Sequence, residues 1–418
     1  MKPPRSSLAE ALQQLDAAAE LRDAFPAPWL DETFAAEEPS LDADAIAAQS
    51  AWCNLPADAL RDAVAAAARI AELPAAVTLL RALFRRIFLA DGEYALVPGT
   101  LEHLPQGTAD AATLLLALGA LPRIRAMHVV RGVPADISRD TCGQVAAVCA
   151  NYRGDTGRNG MYLRQLKWFR YYLDPELLYL RVGRFEYMAK PFSRGLRVLR
   201  PRRGGDPVIL AADGTPFDAE GFALGPADAD RAAFTATAAV GDDAFTGHPV
   251  DGTTGRTSPQ LQRFPFAEYL PALLPDDPAL DMHIPFGGGM RPEAAEESWR
   301  RAFELYARLL PEARHPRAIS CSSWVFNPGL PQILPADSNL VRLQRRVRLA
   351  PIATSPVAGL WFIFRQEADF DLATAPRRTS LQRAVADSIA SGQRWRGGAM
   401  ILLPEDIPNP PTQGNSRS

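Results

Sequence analysis

The chain has 418 residues, of which 47% are hydrophobic and 22% are charged, an ordinary composition for a globular protein of more than one domain. Its 45 Lys and Arg residues against 48 Asp and Glu leave a net charge of -3, so no nucleic acid is expected as a partner. Four cysteines are too few for a disulfide framework, and the longest strongly apolar run, residues 114–121, is too short to span a bilayer. With no apolar export signal at its start, we expect a cytoplasmic protein that does not insert into membranes.

The first part of the chain has the apolar spacing of helices. Apolar residues recur at intervals of three and four, as in Leu80, Phe84 and Ile87, and breakers such as Pro122 separate these stretches. The pattern predicts an N-terminal arm over residues 1–45, followed by an all-helical domain over residues 46–173.

After Asp174 the pattern becomes that of a mixed sheet domain, predicted over residues 174–403. Residues 212–262 are rich in Gly, Asp, Thr and Ala, which favours loops, with one strand at 234–240. The other predicted strands are 177–188, 195–200, 208–211, 280–286, 318–326, 340–352, 360–365 and 395–403.

Two helices are predicted within this second domain. One begins at Pro292 and shows a clear apolar face through Leu310. The other has capping-box spacing at Thr379 and Gln382. Residues 404–418 are expected to form a flexible tail, and the fold class is α+β, with helices first and a mixed α/β sheet after them.

A glycine turn precedes the first of these helices and is a candidate anion site. Gly287, Gly288 and Gly289 stand between a strand and a helix N-terminus, where free N–H groups and the helix dipole attract anions. The alternative is a tight turn without a ligand. Three acidic residues near the start of the helix argue for the alternative, because they repel an anion; they are Glu293, Glu296 and Glu297.

A second candidate site combines His283 with the Cys321 to Trp324 segment. If their strands are neighbours, His283 could act as a general base and Cys321 as a nucleophile. Strand alternation places Cys321 and Ser323 on one face and Ser322 on the other. The alternative is a hydrogen-bonded buried histidine beside a buried cysteine.

Two further patterns carry less information. The five histidines form no HxxxH pair and the cysteines no CxxC pair, so we expect no metal site. The arginines near position 345 fit either an exposed strand edge or a patch for a phosphorylated ligand. They are Arg342, Arg345, Arg346 and Arg348.

Several short blocks in a fixed order give the chain a family resemblance. They are Leu180–Tyr187, His283–Gly287, Cys321–Trp324, Leu334–Leu340 followed by Gln344, and Arg378–Gln382. With these blocks the chain, from about Trp52 to Leu403, resembles a bacterial acyltransferase-domain family. In that family a helical N-acyltransferase N-terminal domain precedes a GNAT-like C-terminal domain.

The resemblance implies a fold in which two parallel strands splay apart and an acyl thioester lies between them. His283 would stand on the first strand and accept a proton from the attacking group. Ser322 or Ser323 on the second strand would hydrogen-bond the thioester, and backbone N–H groups would stabilise the oxyanion. Cys321 as a covalent nucleophile is the less favoured variant.

The resemblance also implies a binding site for the donor and the acceptor. Gly287 to Gly289 with Met290 and Arg291 would hold the CoA pyrophosphate, although the Gln or Arg that usually leads this loop in GNAT enzymes is missing. Trp324 and Asn339 would contact substrate. No tightly bound cofactor is implied; acyl-CoA or acyl-carrier protein would be the donor.

The expected function is acyl transfer from a thioester to an amine or hydroxyl of a small molecule or peptide. The missing Gln or Arg motivates one alternative, a non-catalytic GNAT-shaped binding or scaffold protein. The other is a thiol-dependent hydrolase that uses Cys321 and His283.

Overall fold

The computed structural model describes residues 6–34, 38–90, 99–365 and 370–408. The chain divides into two compact units: residues 1–182 with 285–287, and residues 183–284 with 288–418. The helical character of the first and the mixed sheet of the second confirm the predicted α+β class.

The first unit consists of helices and one short strand, β1 (Leu180–Val182). Its helices are α1 (Leu8–Gln14), α2 (Ala18–Leu21), α3 (Ala43–Cys53), α4 (Ala57–Ala71), α5 (Pro74–Phe88), α6 (Ala109–Val130), α7 (Ala135–Cys142), α8 (Gln144–Thr156) and α9 (Leu163–Tyr171).

Helix α6 is the core of this unit. It is long and apolar enough to cross a membrane by length and composition alone, whereas the sequence suggested only a short apolar run. Over half of its most apolar stretch is buried, and α3, α4, α5 and α9 contact it, which accounts for its apolarity. The prediction that Pro122 breaks a helix was wrong: α6 continues through it, because burial of the neighbouring Leu118, Leu121 and Ile124 outweighs the one lost hydrogen bond.

The second unit has a central mixed sheet and a β-rich insertion. The sheet strands are β2 (Phe185–Pro191), β13 (Pro278–His283), β14 (Ala318–Ser323), β16 (Gly398–Leu402) and β15 (Arg348–Ala350), in that spatial order. β13 and β14 are parallel neighbours, joined by helix α10 (Pro292–Leu309); the other pairs are antiparallel.

The insertion between β2 and β13 contains more strands than the sequence predicted. They are β3 (Arg197–Pro201), β4 (Val208–Leu210), β5 (Pro216–Phe217), β6 (Phe234–Thr235), β7 (Ala238–Val240), β8 (Ala244–Gly247), β9 (Pro249–Asp251), β10 (Arg256–Thr257), β11 (Gln262–Pro265) and β12 (Tyr269–Leu273). The prediction of loop over 212–262 failed because the strands that begin in this range, β5 to β11, are only two to four residues long.

The two faces of the central sheet pack differently. On one face α10 packs: the Trp299 indole N–H donates to Met282 Sδ at 3.2 Å, and Tyr306 donates to the Tyr187 carbonyl at 2.6 Å. On the other face the insertion covers the first residues of the parallel strands, where Ala279 and Ala318 join its apolar cluster. The later residues of the two strands lie beyond that cluster.

The remaining helices are α11 (Leu330–Ile333), α12 (Asn339–Gln344), α13 (Leu360–Phe364) and α14 (Ser380–Ala390). The capping box of Thr379 and Gln382 is confirmed. The predicted strand over 340–352 is correct only at β15, because Ser338 caps a helix by accepting from the Val341 N–H. The strand over 360–365 was wrong, since Leu360, Ile363 and Phe364 are buried at helical spacing.

The ends of three predicted elements also differ. β13 stops at His283 rather than at Phe286, and β14 stops at Ser323 because residues 324–326 form a 3₁₀ turn. In the predicted tail, residues 404–406 form another such turn, and residues 409–418 lie outside the described part of the chain.

Candidate active site

The two parallel strands of the central sheet separate towards their carboxyl ends. β13 and β14 pair in register from Ala279 with Ala318 to Asp281 with Ser320, and their pairing stops there. Each strand continues to pair on its outer side, β13 with β2 as far as His283 and β14 with β16 as far as Ser323. The gap implied by the family resemblance is therefore present.

One face of the sheet at this gap is polar. Side chains alternate along a strand and paired residues share a face, so Asp281 and His283 lie on the same face as Ser320 and Ser322. The structure thus places His283 and Ser322 on one face, on either side of the gap, and so separates Ser322 from Ser323, which the sequence left as alternatives. Glu186, directly opposite His283 on β2, is buried.

Asp281 is the centre of an ionic cluster on this polar face. Its carboxylate lies 3.4 Å from His283 Nε2, 3.5 Å from Lys190 Nζ and 3.7 Å from Arg194 Nη2. Burial opposes ionisation of Asp281, but the hydrogen bond and charge of His283 and the charges of Lys190 and Arg194 outweigh it and lower the pKa. Asp281 is therefore an ionised partner for His283 at neutral pH.

Arg194 links the two strands across the gap. It lies in the loop between β2 and β3, and its Nη1 donates to Ser322 Oγ on β14 while its Nη2 faces Asp281 on β13. Sequence reasoning missed Asp281, Lys190 and Arg194. They are single charged residues with no motif around them, and strand pairing and a loop of the insertion bring them together.

Cys321 and Ser323 lie on the opposite face from Ser322. Cys321 is 2% exposed, and burial together with the negative charge of Asp281 raises the pKa of its thiol. A buried thiol with a raised pKa is a poor nucleophile, which argues against the thiol-dependent hydrolase. Ser323 Oγ accepts from the Val325 N–H at 3.2 Å and so begins the 3₁₀ turn.

The two residues expected to contact substrate have other surroundings. Trp324 packs against the apolar cluster of α11, α13 and α14. Gly359 makes room for this indole: a Cβ at that position would lie 2.5 Å from Trp324 Cδ1. Asn339 is exposed at the start of α12. Their role in substrate binding stays a prediction.

An arginine side chain that the sequence pattern did not indicate contacts the glycine turn before α10. Gly287, Gly288 and Gly289 all have positive φ angles, of 78°, 72° and 65°. Arg184 Nε donates to the Gly289 carbonyl at 2.6 Å, and its Nη2 lies 3.7 Å from Met290 Sδ. Arg184, from the turn before β2, therefore brings a guanidinium to the loop that lacks the usual leading Gln or Arg.

The acidic residues at the start of α10 are paired with arginines. Arg342 lies 2.6 Å from Glu293, Arg346 lies 3.2 Å from Glu296, and Arg300 lies 2.8 Å from Glu297. This removes the objection that three carboxylates would repel an anion. Arg342 lies within helix α12 and Arg346 lies two residues after it, so the interpretation of a strand edge was wrong for these two. It is correct for Arg348, which begins β15 at the edge of the central sheet.

The helix N-terminus and its turn have the features of an anion site. Arg291 is the N-cap residue and its side chain makes no capping hydrogen bond to the backbone.

Among the described residues no group of three or more His, Cys, Asp or Glu could hold a metal ion.

A split pair of parallel strands, with a glycine turn and helix after the first, defines a protein of the GNAT class. Family models agree: residues 46–174 match the N-acyltransferase N-terminal domain, and residues 179–402 match the GNAT-like C-terminal domain. Since the second match alone covers more than half of the chain, the chain belongs to the family of proteins with a GNAT-like C-terminal domain.

Solved structures of the same fold support this assignment. A point variant of an acyltransferase in complex with octanoyl-CoA is 22% identical, with a TM-score of 0.59, over 96% of this chain and 100% of that chain. An acyltransferase in complex with CoA and 10C-teicoplanin, and one with decanoyl-CoA and teicoplanin, are each 21% identical with TM-scores of 0.56 and the same coverage. No curated protein matches the chain.

Proposed function

We propose that the protein transfers an acyl group from acyl-CoA to an amine of a small-molecule or peptide acceptor. The observation that carries the proposal is the gap between β13 and β14, which has His283 on one side and Ser322 on the other. Family membership and the fold shared with CoA-bound acyltransferases support the same conclusion.

The residues before and within α10 fit the phosphates of CoA. The glycine backbone allows close approach, and the helix N-terminus favours negative charge. Arg184 at the turn and Arg291 at the N-cap add positive charge, while Arg342 and Arg346 offset the carboxylates of the helix. The acyl thioester would then extend into the gap.

In the chemical step the lone pair of the acceptor amine attacks the thioester carbon, and the carbonyl π electrons move to oxygen. His283 removes the proton that the amine loses. When the tetrahedral intermediate collapses, the electrons return, the C–S bond breaks, and the thiolate receives that proton. Ser322 hydrogen-bonds the departing sulfur, and no net proton is released.

For the donor and acceptor we propose a medium-chain acyl-CoA and a peptide-like amine. Solved relatives of the fold are bound to octanoyl-CoA, to decanoyl-CoA and to teicoplanin. Acyl-carrier protein is the alternative donor. We place the activity in the cytoplasm, in line with the free thiols of Cys53, Cys142, Cys149 and Cys321.

The test is transfer from octanoyl-CoA to teicoplanin and to simple amines, followed by mass spectrometry. The wild-type protein should form an acylated product, and His283→Ala should reduce turnover by about 100-fold or more, the usual contribution of a general base. His315→Ala, outside the site, is the matched control. Unchanged turnover in His283→Ala would remove His283 from the mechanism.

A further inference from the structure

The side chain of Arg194 has an unusual place in the gap. Its Nη1 donates a hydrogen bond to Ser322 Oγ on β14, and its Nη2 forms an ion pair with the Asp281 carboxylate on β13 at 3.7 Å. The guanidinium thus connects Asp281, in the last residue pair of the two strands, with Ser322, which lies just beyond the point where their pairing stops. The side chain is 22% exposed, so it is largely shielded from water.

The Nε–H donor of this guanidinium is buried without an acceptor in the described part of the chain. Arg194 Nε is buried and makes no hydrogen bond to any of the described residues. A guanidinium N–H can only donate, and burying it without an acceptor costs free energy. An oxygen atom of a ligand in the gap would satisfy it.

We propose that Arg194 is a catalytic residue whose Nε–H donates to the carbonyl oxygen of the acyl thioester. This inference rests on the proposed function. As the amine attacks and the carbonyl π electrons move to oxygen, the guanidinium stabilises the negative charge. When the C–S bond breaks, the electrons return to the carbonyl and the hydrogen bond weakens again.

The surroundings of Arg194 suit this role. Asp281 and Ser322 hold the guanidinium in place before substrate binds, so little reorganisation is needed in the transition state. Lys190 also lies 3.5 Å from the Asp281 carboxylate, and Arg194 extends from that carboxylate to Ser322 on β14. Backbone N–H groups are the oxyanion donors that the family resemblance implies, and Arg194 adds a charged donor to them.

The Arg194→Gln variant distinguishes this role from a structural one. Loss of an oxyanion donor should lower kcat by about 100- to 1,000-fold. The KM for octanoyl-CoA should change little, since the interaction strengthens only in the transition state. Arg263→Gln is the matched control, because it removes the same charge from an exposed pair with Asp243.

Infrared spectroscopy of bound octanoyl-CoA, labelled with ¹³C at the carbonyl, reads the same contact without turnover. In the wild-type protein the carbonyl band should move to lower frequency than in buffer, and in Arg194→Gln it should return towards the buffer position. If Arg194→Gln keeps the wild-type kcat and the wild-type position of the carbonyl band, the role of Arg194 is refuted. Acyl transfer by the wild-type protein would still support the proposed function in that case. Absence of octanoyl-CoA binding to the wild type would instead refute the proposed function.

If Arg194→Gln does not fold, the Arg194→Lys variant tests whether Arg194 stabilises the oxyanion. Lysine keeps the positive charge but has no Nε–H in a fixed fork. We expect kcat to fall at least about tenfold, with the carbonyl band shifted towards its free position. A wild-type kcat and band in that variant would overturn the inference.

Discussion

The buried histidine His128 makes the stability of the helical unit depend on pH. His128 is 1% exposed, its Nδ1 lies 2.8 Å from Ser138 Oγ, and its Nε2 has no partner among the described residues. Burial of the ring lowers its pKa from 6.5 to about 4, because the charged form loses its hydration.

The sign of the effect follows from proton binding. Between pH 6.5 and 4 the unfolded chain binds a proton at this position that the folded chain does not, so lowering the pH stabilises the unfolded state. With about 1.4 kcal/mol per unit of pKa, the free energy of unfolding should fall by about 2 kcal/mol from pH 7.5 to 5, and by about 3 kcal/mol at pH 4.

The assay is urea unfolding of the full chain at several pH values, for the wild type and His128→Gln. Other ionisable groups titrate in both proteins, so the difference between the two curves isolates His128. The variant should lose about 2 kcal/mol less than the wild type between pH 7.5 and 5. Parallel pH curves for the two proteins would show that burial of His128 does not make stability depend on pH.

Three further changes probe other parts of the molecule. Cys321 should resist iodoacetamide in the folded protein, and Cys321→Ala should keep transfer activity; rapid labelling with loss of activity would revive the thiol mechanism. Gly359→Ala should lower the free energy of unfolding by about 2–4 kcal/mol, because φ is 78° and the new Cβ meets Trp324. Gly214→Ala, where φ is 72° and the space is open, should lower it by only about 1 kcal/mol. Equal losses of the two variants in thermal unfolding would contradict this. Arg342→Ala should raise the Kd for CoA about fivefold, because it leaves the Glu293 carboxylate unpaired. The double variant with Glu293→Gln should have a Kd close to that of the wild type. A double variant that binds CoA as weakly as Arg342→Ala in calorimetry would contradict the role of this ion pair.

The elements that sequence predicted best carry strong local signals. The helix from Pro292 has a long apolar face with Ala295, Trp299 and Ala302, all buried as expected. The helix after Thr379 has a reciprocal capping box. The split strands themselves followed from the family resemblance, since nothing in the local pattern of β13 or β14 shows where their pairing ends.

The wrong predictions concern short elements whose conformation depends on contacts with neighbouring residues. The run from Leu360 to Phe364 is five apolar residues, a length at which strand and helix patterns cannot be told apart, and Gly359 with its positive φ begins the helix. At the end of β14, buried Gln344 donates to the Val325 and Asn327 carbonyls at 2.8 and 2.9 Å, a long-range contact that favours the 3₁₀ turn over a longer strand.

The candidate site was predicted in part. His283 and Ser322 are placed on one face by strand alternation and register, both of which a sequence can suggest. Arg184 and Arg194 come from loops, and Asp281 becomes significant only through the cations around it. Isolated charged residues of this kind resemble ordinary surface residues until the fold brings them together.

Calorimetric titration with CoA, acetyl-CoA and octanoyl-CoA tests most simply whether the gap and the α10 turn hold an acyl-CoA. We expect saturable one-to-one binding with micromolar affinity, tighter for octanoyl-CoA than for CoA. Absence of binding by all three would contradict acyl-CoA as the donor, and titration with acyl-carrier protein would then separate a carrier-bound donor from a GNAT-shaped protein without catalysis.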